Sequence, residues 1–410
     1  MSRLGEVLVP RRLGTRFRWL LASSWSSNLG DGIALAAGPL LVASLTEDAL
    51  LVALAATVQW LPPLLFGLLA GAVTDRLDRR LIVVTVDLAR AVVLTVLTLA
   101  LTTDAVPIAA VLGVLLLLGT AEVFADNSSS TLLPMLVDRD DLAVANARLQ
   151  TGFITVNQLA GPPLGAALFA VGAAWAFGVQ AVVVALGAVL VSRVVVPRTP
   201  REGPPSRLRA DIAEGARWVR HHAAVRTLVL TITVFNLTFG AAWSVLVLYA
   251  TEQLRLGPIG FGLVTAVSAA GGLIGVLAYG WITRRVRLGD LLRVGLVVET
   301  LTHLALALTR SPAVALPVFF VFGVHAFVWG TTSVTVRQRA VPQPLQGRVG
   351  SVNLVGTFGG LVVGSGIGGL LAREWGVTAP FWFAFAGSAV FVVLIWSQLR
   401  HVAHADEQPA

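Results

Sequence analysis

Twelve apolar runs, each about 20 residues or longer, recur along the chain and limit what it can fold into. A helix of that length crosses the hydrocarbon core of a bilayer, which is about 30 Å thick. The sequence has 410 residues, of which 56% are hydrophobic and only 13% are charged, whereas soluble domains carry about 25% charged residues. We therefore predict an all-α membrane protein with twelve transmembrane helices. The predicted spans are 18–45, 50–74, 80–102, 106–131, 142–170, 174–193, 225–250, 258–283, 289–309, 312–338, 347–371 and 377–399.

The basic residues are distributed unevenly over the predicted loops. All 30 are Arg, and most lie in the N-terminal tail and in one set of alternating loops. The opposite set contains only Arg255, Arg310 and Arg373. By the positive-inside rule, this asymmetry predicts that both termini face the cytoplasm. Because the Arg residues lie at helix ends rather than on one soluble face, the net charge of +8 does not indicate binding to nucleic acid.

The spans fall into two halves of six, separated by the longest polar stretch. We predict an N-terminal bundle at 18–193, a cytoplasmic linker at 194–224 with an amphipathic helix at 206–222, a C-terminal bundle at 225–399, and tails at 1–17 and 400–410. NLGDG in span one matches NLTFG in span seven, and GAVTDRLDRR after span two matches GWITRRVRLGD after span eight. Such a parallel repeat is typical of transporters that bind substrate near the membrane midplane, between halves that rock around it.

The segment GAVTDRLDRR, at 71–80, is the most specific local motif. It resembles the loop motif between helices two and three of the major facilitator superfamily, and the matching positions are Gly71, Asp75, Arg76, Arg79 and Arg80. Asp78 stands where many members have a second Gly, which is similar to the branch of enterobactin and macrolide exporters. LLPMLVDRDDLAVANA, GPPLGAALFAVG and QGRVGS are similar to the same branch. The resemblance covers essentially the whole chain and implies the major facilitator fold and antiport of an exported molecule against protons.

The residues of this motif have physical roles in a gate on the cytoplasmic side. Gly71 would let two helices approach closely. Asp75 would accept hydrogen bonds from a helix N-terminus in the other half, where the helix dipole favours an anion. Arg76, Arg79 and Arg80 would bind acids or backbone carbonyls and hold that side closed. The alternative is that the Arg residues only set the membrane orientation.

Span five contains QLAGPPLGAALFAVG, which is similar to the Gly-Pro antiporter motif of superfamily exporters. Gly161 and Gly165 have small-xxx-small spacing, which lets a neighbouring helix pack tightly. Pro162 and Pro163 bend the helix. We predict a pliable helix at the interface between the halves, with ordinary tight packing as the alternative.

Several ionisable residues lie at membrane depth, where each costs about 2.5–3.5 kcal/mol on insertion scales and usually faces a partner or a cavity. At about 1.5 Å of rise per residue, Arg90 of span three and Glu122 of span four lie at the same level. Asp87 shares a helix face with Arg90, and Asp126 shares one with Glu122. We predict a charge network of these four residues, which serves either transport or permanent helix packing.

Asp31 differs from these residues because no basic residue in its own helix can pair with it. Burial disfavours a charged carboxyl, and we predict that Asp31 carries protons during transport, a role that the resemblance to exporters also implies. The alternatives are a hydrogen bond to a backbone break at Gly30–Gly32, or an ion pair with Arg90. Glu299 and His303 lie four residues apart on one face of span nine, and we favour a structural pair there.

By the resemblance, helices one, four, seven and ten line the substrate cavity, and aromatic rings there would stack on a bulky ligand. The implied lining residues are Asn28, Asp31, Glu122, Asn236, Trp243, His325 and Trp329.

The sequence therefore predicts a proton-coupled exporter of a drug, siderophore or other amphipathic small molecule, acting as a monomer in a bacterial cytoplasmic membrane. A nutrient importer or uniporter of the same superfamily is the alternative, and a non-transporting receptor is disfavoured by the repeat and the buried acids. We predict no enzymatic site, no cofactor and no metal. The chain has no Cys, no Walker-type phosphate loop and no paired His residues at metal-ligand spacing in a soluble domain.

Overall fold

The computed structural model describes residues 11–74, 76–103, 106–195 and 208–399, which contain helices and turns but no strand. The predictions for residues 1–10, 196–207 and 400–410, and for Asp75, lie outside these residues. The helices are α1 (Gly14–Leu45), α2 (Ala49–Thr74), α3 (Arg79–Leu101), α4 (Ile108–Leu132), α5 (Arg139–Val171), α6 (Ala173–Ser192), α7 (Leu208–His221), α8 (Ala223–Trp243), α9 (Pro258–Thr283), α10 (Leu288–Leu308), α11 (Pro312–Ala340), α12 (Gln346–Trp375) and α13 (Ala379–Ile395).

Eleven of these helices are long and apolar enough to cross a membrane, and α13 is a shorter apolar helix. Together they correspond to the twelve predicted spans, so the all-α membrane fold is confirmed. The remaining helix, α7, lies between spans six and seven, in the stretch where an amphipathic helix was predicted over 206–222.

The seventh span differs most from its prediction. A continuous helix was expected over 225–250, whereas α8 ends at Trp243 and the chain continues through a turn at Leu246–Leu248 and a π-helical turn at Tyr249–Gln253. The buried Tyr249 hydroxyl donates a hydrogen bond to the Leu306 carbonyl at 2.8 Å, which ties this segment to α10. Hydropathy did not reveal the break because the segments on both sides are equally apolar.

Helix α5 contains a π-helical segment, Phe153–Ala160, followed directly by Gly161–Val171. Pro162 and Pro163 have no backbone N–H to donate, and each proline ring crowds the carbonyl four residues earlier. A wider helical turn before the two prolines accommodates this crowding, and such bulges are a common cause of irregular helices.

The chain divides into two units by its internal contacts. The first contains the described residues of 1–45, 65–205 and 261–266, and the second those of 46–64, 206–260 and 267–399. In the first unit, α1 packs on α5 and α6, and α3 packs on α4 and α6. In the second unit, α8 packs on α12 and α13, and α10 packs on α11 and α13.

The internal repeat is visible as the same glycine contact in both units. A Cβ added to Gly32 of α1 would lie 2.9 Å from the Cα atom of Gly161 in α5. A Cβ added to Gly240 of α8 would lie 2.9 Å from the Cα atom of Leu361 in α12. Cβ atoms essentially never come so close to other atoms, so only glycine lets these backbones touch. The two glycines aligned by sequence therefore make equivalent helix contacts.

Candidate functional site

Arg90 of α3 is the centre of a buried charge cluster in the first unit. Its side chain is 3% exposed and forms ion pairs with Asp31 of α1 and with Asp87, the latter at 3.1 Å. The Ser27 hydroxyl donates to the second carboxylate oxygen of Asp87 at 3.4 Å. The premise that Asp31 is unpaired is therefore wrong, and the alternative pairing with Arg90 is the one observed.

The backbone next to Asp31 is held between two helices. Gly32 touches α5, and a Cβ added to Gly30 would lie 2.8 Å from a methyl group of Val184 in α6. Since these two neighbours are in tight contact, α1 has little freedom to shift at this point. The Asp31 carboxylate is thereby positioned at α3, where Asp87 and Arg90 share one helix face.

Glu122 and Asp126 of α4 complete the cluster without a direct ion pair to Arg90 among the described residues. Both lie within electrostatic range of Arg90 and Asp31. Glu122 is half-buried and Asp126 is exposed, and a carboxylate exposed at membrane depth normally faces water rather than lipid. The predicted network thus also includes Asp31. Its two residues on α4, Glu122 and Asp126, interact with Arg90 only at longer range.

The cluster has more acids than bases. Four carboxyl groups, those of Asp31, Asp87, Glu122 and Asp126, surround the single guanidinium of Arg90. Full ionisation would leave several uncompensated negative charges, each of which is costly at membrane depth. The cluster can approach neutrality only by holding protons, and the number held depends on which carboxylates Arg90 contacts.

Two Arg residues of the predicted gate motif bind helix ends within the first unit. Arg79 donates to the Thr131 carbonyl in the last turn of α4 at 3.2 Å. Arg80 donates to the Val194 carbonyl just beyond α6 at 3.1 Å. Helix C-termini carry partial negative charge, which favours cations there. The predicted bonds to backbone carbonyls are therefore present for both side chains.

The other motif positions behave differently. Asp78 caps α3 by accepting hydrogen bonds from the Arg80 and Leu81 amides at 3.0 and 3.2 Å. Arg76 is exposed. A Cβ added to Gly71 would meet no atom of the described residues within 4 Å, so the close helix contact expected there is not observed. The role of Asp75 stays a prediction.

The predicted glycines of span five do pack tightly, and their partner is α1. Gly161 contacts Gly32, and a Cβ added to Gly165 would lie 2.9 Å from the Cα atom of Ile33. Pro162 is buried between them. This stretch therefore fixes the helix that carries Asp31, in agreement with the tight-packing alternative.

A second polar cluster lies in the second unit. Glu299 of α10 contacts His325 of α11, with 3.4 Å between Oε2 and Nε2. The expected pairing of Glu299 with His303 is wrong. His303 is completely buried, and neither of its ring nitrogens has a hydrogen-bond partner among the described residues.

An aromatic cluster packs against these histidines. Of its residues, only Trp243 was predicted from the sequence to line the cavity. Phe239 and Trp243 of α8 stack with ring centroids 4.4 Å apart, and Trp243 lies 4.6 Å from Phe322 of α11. Trp243 is edge-on to His303 at 6.1 Å, and Phe322 is edge-on to His325 at the same distance. We call Phe239, Trp243 and Phe322 the aromatic wall. The sequence feature that could have revealed this cluster is the presence of Phe residues one helical turn apart on spans seven and ten.

The remaining predicted cavity residues make contacts within their own units. The side-chain amides of Asn28 and Asn236 donate to carbonyls one turn earlier in their own helices, Ser24 and Ile232, each at 2.7 Å. Trp329 packs in the core of the second unit, where it contacts apolar residues of α8 and α10. Their assignment to a substrate cavity stays a prediction.

Comparisons with known proteins agree with this architecture. A family model described as "Transmembrane secretion effector" matches residues 8–410. The chain is 29% identical over 389 residues to "Multidrug efflux pump Tap" of Mycolicibacterium fortuitum, covering 88% of this chain and 90% of that protein. It is 24% identical over 367 residues to "Macrolide efflux protein A" of Streptococcus pyogenes, covering 85% and 87% of the two chains.

Solved structures show the same fold at low sequence identity. A bacterial homologue of the iron transporter ferroportin in an inward-facing state gives a TM-score of 0.76 at 17% identity, covering 97% of this chain and all (100%) of that chain. The nucleoside transporter NupG gives 0.71 at 14% identity, covering 94% and 99%. The fold, the repeat and the family match agree, and the chain belongs to the transmembrane secretion effector family of the major facilitator superfamily, a family of transporters and not of enzymes.

Proposed function

We propose that this protein is a proton-coupled efflux transporter of amphipathic small molecules in a bacterial cytoplasmic membrane. The names of its relatives, a multidrug efflux pump and macrolide efflux proteins, support export as the direction. The observation that carries proton coupling is the excess of carboxyl groups over the single Arg90 at membrane depth.

The proposed mechanism uses Arg90 as a shared partner. While Asp31 is ionised, Arg90 bridges Asp31 on α1 and Asp87 on α3. Protonation of Asp31 removes one side of this bridge and leaves Arg90 to Asp87 and to the more distant carboxylate of Glu122. The attraction between α3 and α1 therefore changes with the proton, while α5 and α6 hold α1 in place. A ligand can shift a conformational equilibrium only when it binds the two states unequally, and a proton on Asp31 meets that condition.

Efflux assays on whole cells test this proposal. Cells expressing the protein are loaded with erythromycin, a macrolide, or with ethidium, a lipophilic cation, and retained probe is measured with and without a protonophore. We expect the wild type to lower retention of at least one probe and the protonophore to abolish the difference. Asp31→Asn should retain the probe as control cells do, at unchanged abundance in the membrane.

Asp140→Asn is the matched control, because Asp140 is an exposed residue in the short turn before the helical part of α5. It should export like the wild type. Full efflux by Asp31→Asn would remove Asp31 from the coupling step. Probe uptake driven by the proton gradient would instead favour the importer alternative.

A further inference from the structure

The second unit contains titratable groups at membrane depth that the proposed mechanism does not use. Glu299 lies 11 residues from the start of α10, which at about 1.5 Å per residue places it near the middle of the bilayer. The exposed fractions of the Glu299 and His325 side chains are 11% and 7%. His303, one turn beyond Glu299, is completely buried.

No permanent cation is positioned to neutralise Glu299 within the described residues. Arg293 on the same helix is about 9 Å away along the axis, and it contacts Asp290 and the ring of Trp396 instead. Helix α13, which packs on α10, has no charged residue. The other charged residues on α10 and on the neighbouring helices α8 and α11 lie towards helix ends, and they are Arg226, Asp290, Arg337 and Arg339.

Among the described residues, His325 is therefore the one side chain in contact with Glu299 that could supply a counter-charge. One proton shared by the pair gives zero net charge, either as carboxylate and imidazolium or as two neutral groups. Removing that proton leaves a buried anion and adding another leaves a buried cation, and both are costly at this depth. The contact distance of 3.4 Å between Glu299 Oε2 and His325 Nε2 is long for a hydrogen bond.

The chemistry of the cluster favours a proton over a metal ion. No group of three or more His, Asp or Glu residues in the described part of the chain is arranged as a metal-ligand set. His303 is completely buried and has no hydrogen-bond partner among the described residues, so a proton on it would be an unpaired buried cation, and we expect His303 to stay neutral.

We propose that Glu299 and His325 form a second proton-binding site, located in the second unit and separate from the Asp31 cluster. The site lies directly behind the aromatic wall, because His325 contacts Phe322. A proton bound there cancels the negative charge of the Glu299–His325 pair, which lies behind rings that attract cations through their faces. The site thereby makes the electrostatic character of the wall dependent on protonation. Any role of this site in transport rests on the proposed function, whereas proton binding at the site does not depend on it.

Infrared difference spectroscopy on the purified full-length protein in detergent tests the proposal without any substrate. A buried carboxylic acid has a carbonyl stretching band that its carboxylate lacks. Spectra are recorded between acidic and alkaline pH for the wild type, Glu299→Gln and His325→Gln. Asp290→Asn, a change in an exposed acid on the same helix, is the control.

We expect Glu299→Gln to lose one pH-dependent carboxylic acid band that Asp290→Asn retains. In His325→Gln the same band should be present at every pH tested, because Glu299 then has no counter-charge and stays neutral. Identical difference spectra for the wild type and Glu299→Gln would overturn the proposal, provided that both proteins elute as the same folded species. The bands of the Asp31 cluster are read separately with Asp31→Asn, so failure of one site is distinguishable from failure of the other.

Discussion

Gly32 should be difficult to replace, and Gly32→Ala tests this by adding a single methyl group. The added Cβ would lie 2.9 Å from the Gly161 Cα atom and 3.0 Å from the Asn157 Cα atom, whereas carbon atoms in ordinary contact are about 3.5–4.0 Å apart. The backbones of α1 and α5 must then separate by roughly half an ångström or more. Overpacking of this kind costs about 1–3 kcal/mol.

The gain in helix propensity from Gly to Ala is about 1 kcal/mol and must be measured separately. Gly113→Ala provides that measurement, because Gly113 lies within α4 and a Cβ there meets no atom of the described residues within 4 Å. We expect Gly32→Ala to be less stable than Gly113→Ala by about 1–3 kcal/mol. Gly240→Ala should resemble Gly32→Ala, because its Cβ would approach Leu361 of α12 equally closely.

Equilibrium unfolding in mixed micelles of a mild detergent and SDS, followed by circular dichroism, gives the free energies needed for this comparison. Equal stability of Gly32→Ala and Gly113→Ala would refute the argument, since it would mean that α1 can move away from α5 without loss. Such freedom would also contradict the inference that this contact positions the Asp31 carboxylate.

Two further predictions concern groups at the surface of the second unit. Arg348 binds Asp211 and Glu214 of α7 at 3.1 and 2.6 Å; because these side chains are partly exposed, Arg348→Ala should cost only about 1 kcal/mol, and it should speed proteolysis of α7 at low salt more than at high salt. Burial, and then the negative charge of Glu47, raise the pKa of Glu252. The associated stability is lost as pH rises through that raised pKa, so Glu252→Gln should melt at a higher temperature than the wild type at pH 8 and at the same temperature at pH 4. A constant difference across pH would show that the substitution acts through packing.

The helices could be predicted from the sequence because hydropathy is a local property of each segment. Helix α9 begins and ends at the predicted residues, 258 and 283. Helix α2 differs from prediction by one residue at its start, and α3 by one residue at each end. The prediction was less accurate for the seventh span, where the α-helix is interrupted after Trp243 without any change in polarity. Proline identified the irregularity in α5, whereas nothing comparable marks the break after Trp243.

The partners of the buried charges were harder to predict because they depend on how helices are tilted and rotated. Asp87 and Arg90 could be paired by their spacing on one helix, and this pair is present. The same local rule paired Glu299 with His303, but the rotation of α10 brings Glu299 to His325 on the adjacent helix. The partner of Asp31 is Arg90, 59 residues away in the sequence, and this pair depends on how α1 packs against α3.

The aligned positions of the two halves share a scaffold but differ in chemistry. Gly32 and Gly240 make equivalent backbone contacts, while the residue before each is Asp31 in the first unit and Phe239 of the aromatic wall in the second. Arg90 and Glu299 each lie 19 residues after the aligned glycines of the loop motif, Gly71 and Gly280.

The aligned charge therefore has opposite sign in the two units. The first unit has a permanent cation surrounded by excess acids, and the second has an acid whose neighbours are titratable histidines. Neither cluster can be neutral with all of its acids ionised and its histidines uncharged, which is why we propose that each holds protons at membrane depth. Two proton-holding clusters at aligned helices are the arrangement expected if duplication preserved the helix positions while each copy changed its charged residues independently.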